Sequence, residues 1–259
     1  MSQPLEVTRE GRLLRLTLNR PDKRNALNRE LCEALVDQFE AAQLDPGIGA
    51  ILLDAKGKVF CSGMDLEEAL EAGPTDGLTL HDQLFTIGNR TAKPIVVAVQ
   101  GPAMAGGAGL VANAHIAIAA HGASFGVTEL RVGMWPYVIS RALVSALGER
   151  RALELTLSAR IFASTEAKDY GLVHEVVPPM ELEERAFTVA SQLADWPSSV
   201  MRFGMAYTHQ ARLVDDQRAG QIALALRAEN FRNADFAEGV QAFKEKRRPE
   251  WPSNSGGNQ

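Results

Sequence analysis

Two short stretches of this sequence place small residues between an apolar run and a helical pattern. "FCSGMDL" spans Phe60 to Leu66 and follows "AILLDA"; "QGPAMAGGAGL" spans Gln100 to Leu110 and follows "PIVVAVQ". A strand that ends in Gly, Ala and Ser leaves its backbone bare, so a ligand can come close to the peptide groups. The first N–H groups of the helix that follows have no intrahelical acceptor and lie at the positive end of the helix dipole. Two such amides aimed at one point would hold a developing oxyanion, each contributing roughly 3 kcal/mol to a transition state. Taken singly, either turn is better explained by close packing of a helix on a strand.

Glu129 is the carboxylate of interest. It lies between the strand-like "SFGV" and the apolar "VGMWP". On its own, a glutamate there reads as solvated or paired with a residue such as Arg131. Partly buried beside Met134 and Trp135, it would instead have its pKa raised by desolvation, which suits a group that takes and returns protons.

Other chemistries fit less well. Gly107, Gly109 and Ala112 match the G-x-G-x-x-A of a dinucleotide site, but the next strand, "HIAIAA", ends in Ala120 and is followed by His121 and Gly122, not by an acidic residue. No G-K-[ST] follows either turn, and Ser62 lacks the first glycine of a nucleophile elbow. Cys61 adjoins the first turn without a visible partner base. His81, His115, His121, His174 and His209 have no metal-ligand spacing, and Cys32 and Cys61 form no CxxC. His115 reads as a packed or capping histidine.

The surrounding elements are those of an α/β protein. "LEVTREGRLLRLTLNR" alternates about Glu10-Gly11 as a hairpin does. Asn28 is placed to cap the helix "RELCEALVDQFEAAQ". Strands then alternate with helices through "HIAIAA", which points to parallel sheet units. "TDGLTLHDQLFTIGNRTAK", "SRALVSALGERRALELTLSA" and "QRAGQIALALRAENFRNADFAEGVQAFKEKRR" each read as one helix, and the chain is almost wholly helical from Met180 to about Arg248. The tail is polar and glycine-rich and is expected to be disordered.

The 259 residues carry a formal net charge of -5, without the basic footprint of a nucleic-acid binder. No run approaches the roughly 20 apolar residues of a membrane span, and no signal peptide is read. The expectation is a cytoplasmic protein with no nucleic-acid or membrane partner.

Together the motifs resemble the crotonase superfamily, the enoyl-CoA hydratase and isomerase family. "LTLNRPDKRNALN" resembles its N-terminal signature, "VFCSGMDL" its first oxyanion turn and "AVQGPAMAGGAGLVANAHIAIAA" its second. "ASFGVTELRVGMWP" resembles its catalytic segment, and "ARIFASTEAKDYGLVHEVVP" and "EGVQAFKEKRRPEW" resemble later landmarks. The resemblance implies an α/β fold: a ββα spiral core over 1–180 holding an acyl-CoA site, a helical trimerisation region over 181–248, and a disordered tail over 249–259. It also implies a homotrimer or a dimer of trimers. The implied ligand is an acyl-CoA thioester, with coenzyme A entering as part of the substrate and no separate cofactor or metal.

Carried over by resemblance, the oxyanion donors are the N–H groups of Met64 and Gly106, and Glu129 is the catalytic carboxylate. The CoA moiety is expected along Arg24, Ala26, Leu27, Ser62, Gly63, Asp65 and Leu66, with Trp135 at the acyl end. Phe243 and Lys246 match an aromatic and a cation that relatives supply from a neighbouring subunit. The first of the family's two glutamates is replaced by Gly109, and "VIS" stands where "GGT" is more usual. One glutamate suits double-bond migration, whereas the wider resemblance is to hydratases of branched acyl-CoAs. Hydratase is placed first and isomerase second. A non-catalytic CoA-binding or assembly protein of the same fold is the remaining alternative.

Overall fold

The computed structural model describes residues 3–71, 73 and 78–255. The chain opens with the expected hairpin of β1 (Leu5–Glu10) and β2 (Leu13–Leu18), turning at Gly11 with φ +58°. Asn28 caps α1 (Arg29–Leu44), its Oδ1 accepting from the Leu31 N–H at 3.2 Å. β3 (Ala50–Ala55) leads into the first small-residue turn and α2 (Leu66–Glu71). The next helical stretch is broken, against expectation, into α3 (Leu78–Leu84) and α4 (Ile87–Arg90); residues 75–77 at its start lie outside the described residues.

β4 (Ile95–Val99) precedes the second turn, which contains the two-residue β5 (Ala103–Met104) and opens α5 (Gly106–Asn113). β6 (Ile116–Ala120) and β7 (Ser124–Gly126) follow. The expected single helix after Ser140 is two, α6 (Tyr137–Leu147) and α7 (Glu149–Ser158), split at Gly148 where φ is +74°. β8 (Ile161–Ala163), α8 (Ser164–Asp169) and β9 (Glu175–Val177) complete the α/β part. Four helices follow: α9 (Leu182–Ala194), α10 (Ser198–Ala211), α11 (Asp216–Arg232) and α12 (Ala234–Glu245). The last two were expected as one. Asn233 ends α11 and caps α12, its side chain accepting from Asp235 N–H.

The main sheet has the order β1-β2-β3-β4-β6-β9, parallel throughout except for the opening hairpin; β5, β7 and β8 form a smaller sheet. The central strands are buried on both faces, as parallel strands are. Ile51, Leu53, Val97 and Ala119 join a core with α1 and α5, while Ala50, Leu52, Val96, Ala98 and Ile118 pack with Leu182, Ala186, Ala190 and Ala194 of α9. Thus α9 covers the second face of the sheet. Packing does not follow the division expected at residue 180, because the first helix beyond it is part of the core.

The tail also departs from expectation. Asn254 Oδ1 accepts from Ser198 N–H at 3.0 Å, its carbonyl accepts from Arg12, and Ser253 N–H donates to the buried Asp235 carboxylate. The polar composition that suggested disorder instead supplies hydrogen-bond partners as far as residue 254; residues 256–259 lie outside the described residues.

One side chain pins the loop between β2 and α1. Asn25 is fully buried with φ +51°, in the left-handed region that asparagine tolerates. Its Oδ1 accepts from Arg20 N–H, and its amide donates to the carbonyls of Lys56 and Val59 at 2.9 and 2.8 Å. The loop is thereby fixed to the chain that enters the first small-residue turn. Asn25→Ala strands these groups, each at a cost of roughly 1–3 kcal/mol. We expect the variant to lose roughly 3 kcal/mol or more in denaturant unfolding; a loss below about 1 kcal/mol would show that water replaces the amide.

Candidate active site

The first small-residue turn is laced to the Asn25 loop strand by strand. Leu27 and Met64 form a parallel bridge, in which Leu27 N–H donates to the Gly63 carbonyl at 2.8 Å and Asp65 N–H donates to the Leu27 carbonyl at 3.0 Å. In such a bridge the middle residue of the partner strand directs its own N–H away. The Met64 amide therefore points away from Leu27, and it donates no hydrogen bond among the described residues. Ser62 N–H donates to the Arg24 carbonyl at 3.1 Å.

The second turn meets the first almost without intervening atoms. A Cβ on Gly63 would stand 2.8 Å from Ala105 Cβ and 3.3 Å from Gly106 N. A Cβ on Gly107 would stand 2.4 Å from the Cys61 carbonyl oxygen. Gly107 is therefore required for packing, which gives that glycine of the G-x-G-x-x-A match a structural role. Ala105 adopts φ +50° and ψ -118°, a conformation alanine rarely takes, as the chain enters α5. Gly106 is the first residue of that helix, and its N–H likewise donates no hydrogen bond among the described residues. Two unpartnered amides thus sit on adjoining turns.

Glu129 is carried to the same neighbourhood by β7, which pairs with β5 so that Ala105 N–H donates to the Gly126 carbonyl at 2.8 Å. Three residues further on, Glu129 opens a short 3-10 turn, Glu129–Val132, closed by Gly133 at φ +75°. The Glu129 Oε2 atom is buried and has no hydrogen-bond partner among the described residues. Desolvation pushes its carboxyl pKa above the ordinary value, opposed only by its own backbone N–H. Trp135 is half-buried six residues on, whereas the Met134 side chain is exposed.

The structure joins the loop of Arg24, Ala26 and Leu27 to the turn of Ser62 to Leu66 through the Ser62–Arg24 and Leu27–Met64 backbone pairings, and of these residues Leu27 and Gly63 lie against Gly106. Asp65 has a more structural place than expected: its carboxylate is paired with Arg20 at 3.0 Å, and Arg20 also donates to the Ala26 carbonyl. That pair braces the first turn, and Arg20 was missed because nothing in the sequence distinguishes it from the neighbouring cations. Arg24 is exposed, with its main chain in the left-handed region at φ +53°. No hydrogen bond or ion pair among the described residues joins Phe243 or Lys246 to the two turns; Phe243 is 85% exposed at the end of α12, and Lys246 follows as its left-handed cap.

Gly109 also differs from open space. A Cβ there would lie 2.4 Å from Ile139 Cγ2 and 3.0 Å from Phe85 Cε1. Phe85 was not singled out from the sequence, where it is one apolar residue in a helical pattern.

The remaining candidate groups are accounted for. Burial pushes the Cys61 and Cys32 thiols up to about 12, which leaves them protonated and unreactive at neutral pH. His115 accepts from Ile95 N–H at 2.9 Å through Nδ1 and faces the Gly88 carbonyl at 3.0 Å through Nε2; burial lowers its pKa to about 4. With His174 and His209 it lines a cavity of about 230 Å³ at the C-terminal end of α5, the opposite end from Gly106.

An α/β spiral with two bare turns and a desolvated glutamate defines the class of crotonase-like proteins. Residues 8–254 match the model of the enoyl-CoA hydratase/isomerase family, and the chain belongs to that family. It is 32% identical over 252 residues to the enoyl-CoA hydratase EchA19 of Mycobacterium tuberculosis, covering 94% of each chain. It is 32% identical over 255 residues to 2,3-dehydroadipyl-CoA hydratase of Escherichia coli, covering 95% of this chain and 98% of the relative. The crystal structure of an enoyl-CoA hydratase from Mycobacterium smegmatis superposes with a TM-score of 0.90 at 31% identity, covering 96% of this chain and 99% of that one.

The orphaned carboxylate has a stability consequence. Below the ordinary carboxylate pKa, Glu129 is protonated both folded and unfolded, and contributes no pH dependence. As pH rises, the unfolded chain ionises first, so stability falls until the raised folded pKa is passed. Glu129→Gln removes that penalty. We expect its melting temperature to exceed wild type by roughly 2–4 °C at neutral pH, the scale of about 1 kcal/mol in a chain this size. The gain should shrink toward pH 4. A variant less stable than wild type at pH 7 would mean that the carboxylate is stabilised by a partner.

Proposed function

We propose that this member of the family is an enoyl-CoA hydratase-type enzyme in which Glu129 is the acid–base residue and the Met64 and Gly106 amides hold the thioester oxygen. The observation that carries the reading is the buried Glu129 oxygen without a partner, with its pKa raised. A carboxylate left unsatisfied at a fold's expense is a group kept for chemistry. The two unpartnered N–H groups on touching turns supply the complementary half: donors that stabilise negative charge on an oxygen. The relatives named as hydratases support acyl-CoA as the substrate class.

In this mechanism the thioester carbonyl lies against the Met64 and Gly106 amides, so that electron density moving onto its oxygen is met by two N–H dipoles. Glu129 removes a proton from water as it adds to the β-carbon, then returns a proton to the α-carbon as the enolate collapses. Its raised pKa brings it closer to neutrality, where a group can both accept and release a proton. Isomerisation is the second reading, favoured by Gly109: with no side chain at that position, a single carboxylate moves a proton between two carbons.

A panel of 2-enoyl- and 3-enoyl-CoA thioesters with mass-resolved products tests the two. A gain of one water identifies hydration; an unchanged mass with a moved double bond identifies isomerisation. On the best substrate, Glu129→Gln should bind thioester normally and lose about 10²- to 10⁴-fold in turnover. Retention of more than about a tenth of wild-type turnover would place the base elsewhere.

We further propose a homotrimer or dimer of trimers built through the last helices. α10 and α11 contain no buried residue, and Leu213, Leu224, Phe231 and Phe243 are exposed. Phe231 packs edge-on against Phe236, itself exposed, so part of this apolar surface is shared between α11 and α12. Assembly would also supply Phe243 and Lys246 to a neighbour's CoA site. Light scattering should return a mass of three or six 28.1 kDa chains; a stable single-chain mass at micromolar concentration would remove the proposal.

A further inference from the structure

Gly106 and Gly109 are three residues apart on α5 and so share one helix face. Phe85 spans both: its Cζ would lie 3.3 Å from a Cβ at position 106, and its Cε1 3.0 Å from one at position 109. Ile139, from the first turn of α6, closes the rest of the space, with Cγ2 at 2.4 Å and Cβ at 2.9 Å from a Cβ at position 109. Both side chains are buried, Phe85 at 3% and Ile139 at 1% exposure. A side chain on residue 109 would therefore project from the face that begins at the Gly106 amide, into volume that Ile139 already fills.

We propose that Ile139 is the residue that determines which acid–base chemistry this site performs: by occupying the space beside Gly109 it withholds a second proton-transfer group from the helix face that begins at the Gly106 amide. The proposal rests on the acyl-CoA reading above. Within this chain the two positions are complementary in volume: α5 has no side chain at Gly109, and Ile139 of α6 occupies the space that one would need. With Phe85 and Ile139 filling the space beside Gly109, this face offers no carboxylate to share the orientation of water with Glu129, and hydration is expected to be slower relative to proton transfer between carbons than it would be with two carboxylates.

The pairing is testable without substrate. Gly109→Ala should lower the melting temperature by roughly 3–10 °C in the wild-type background, as overpacking does in a chain this size. In the Ile139→Gly background the same change should cost less than half as much. Ile139→Ala is not sufficient, since the Ile139 Cβ is itself too close. For the chemistry, Gly109→Glu combined with Ile139→Gly should hydrate crotonyl-CoA at least about tenfold faster than Ile139→Gly alone, and its pH–rate profile should gain a second ionisation. Acetyl-CoA binding to the wild-type protein, measured by calorimetry, separates the two levels. Failure of wild type to bind acetyl-CoA overturns the acyl-CoA reading. Normal binding with additive melting shifts overturns the role of Ile139, and so does a folded double variant no faster than Ile139→Gly. If the glutamate variant does not fold, the Gly109→Ala cycle still decides whether Ile139 holds the space.

Discussion

The structure turns on the absence of side chains between two loops. Gly63 lies against Ala105, and Gly107 against the Cys61 carbonyl, at separations that leave no room for a Cβ. This contact is made of backbone, so its geometry is set by the elements on either side and not by rotamers. The parallel strands β3 and β4 deliver both loops to the same end of the sheet, and the Asn25 and Arg20 contacts hold the first loop in register. Strain at Ala105 is tolerated because the surrounding packing fixes it. The result is two N–H groups that the fold itself does not use.

Glu129 shows the complementary expense. An ionised carboxyl oxygen without a partner is destabilising in a buried position. The protein retains it on a short turn that follows β7 and is closed by Gly133. The contrast with Asp65 is instructive. Both are half-buried acids, Asp65 on the first turn and Glu129 beyond the strand that pairs with the second, but Asp65 is neutralised by Arg20 and braces its loop, whereas a buried oxygen of Glu129 has no partner among the described residues. Position in the chain did not separate their roles; partners did.

The C-terminal region divides by what each helix touches. α9 is a core element, its alanine face filling the second side of the sheet. The helices beyond it are held to the core at a few polar points, such as the Arg12, Ser198 and Asn254 cluster and the buried Asp235. Leu224 and Phe231 of α11 and Phe243 of α12 stay exposed.

Much of this was written in the sequence. Alternation and turn residues determine the hairpin, Asn28 marks a helix start, and the two glycine-rich stretches after apolar runs mark both bare turns. These are local properties: a cap, a period and a missing Cβ act within a few residues. The family motifs extended that reading to Met64, Gly106 and Glu129. The helix breaks at Gly148 and Asn233 are local, a positive φ and a side-chain cap that periodicity alone does not register. What only the tertiary structure decided is long-range. The tail is ordered as far as Asn254 because Ser198 and Asp235 wait for it from distant helices. Gly109 and Ile139 are thirty residues apart in sequence and each is unremarked alone; their meaning is a shared volume of space, and volume is defined only when α5 and α6 are packed together.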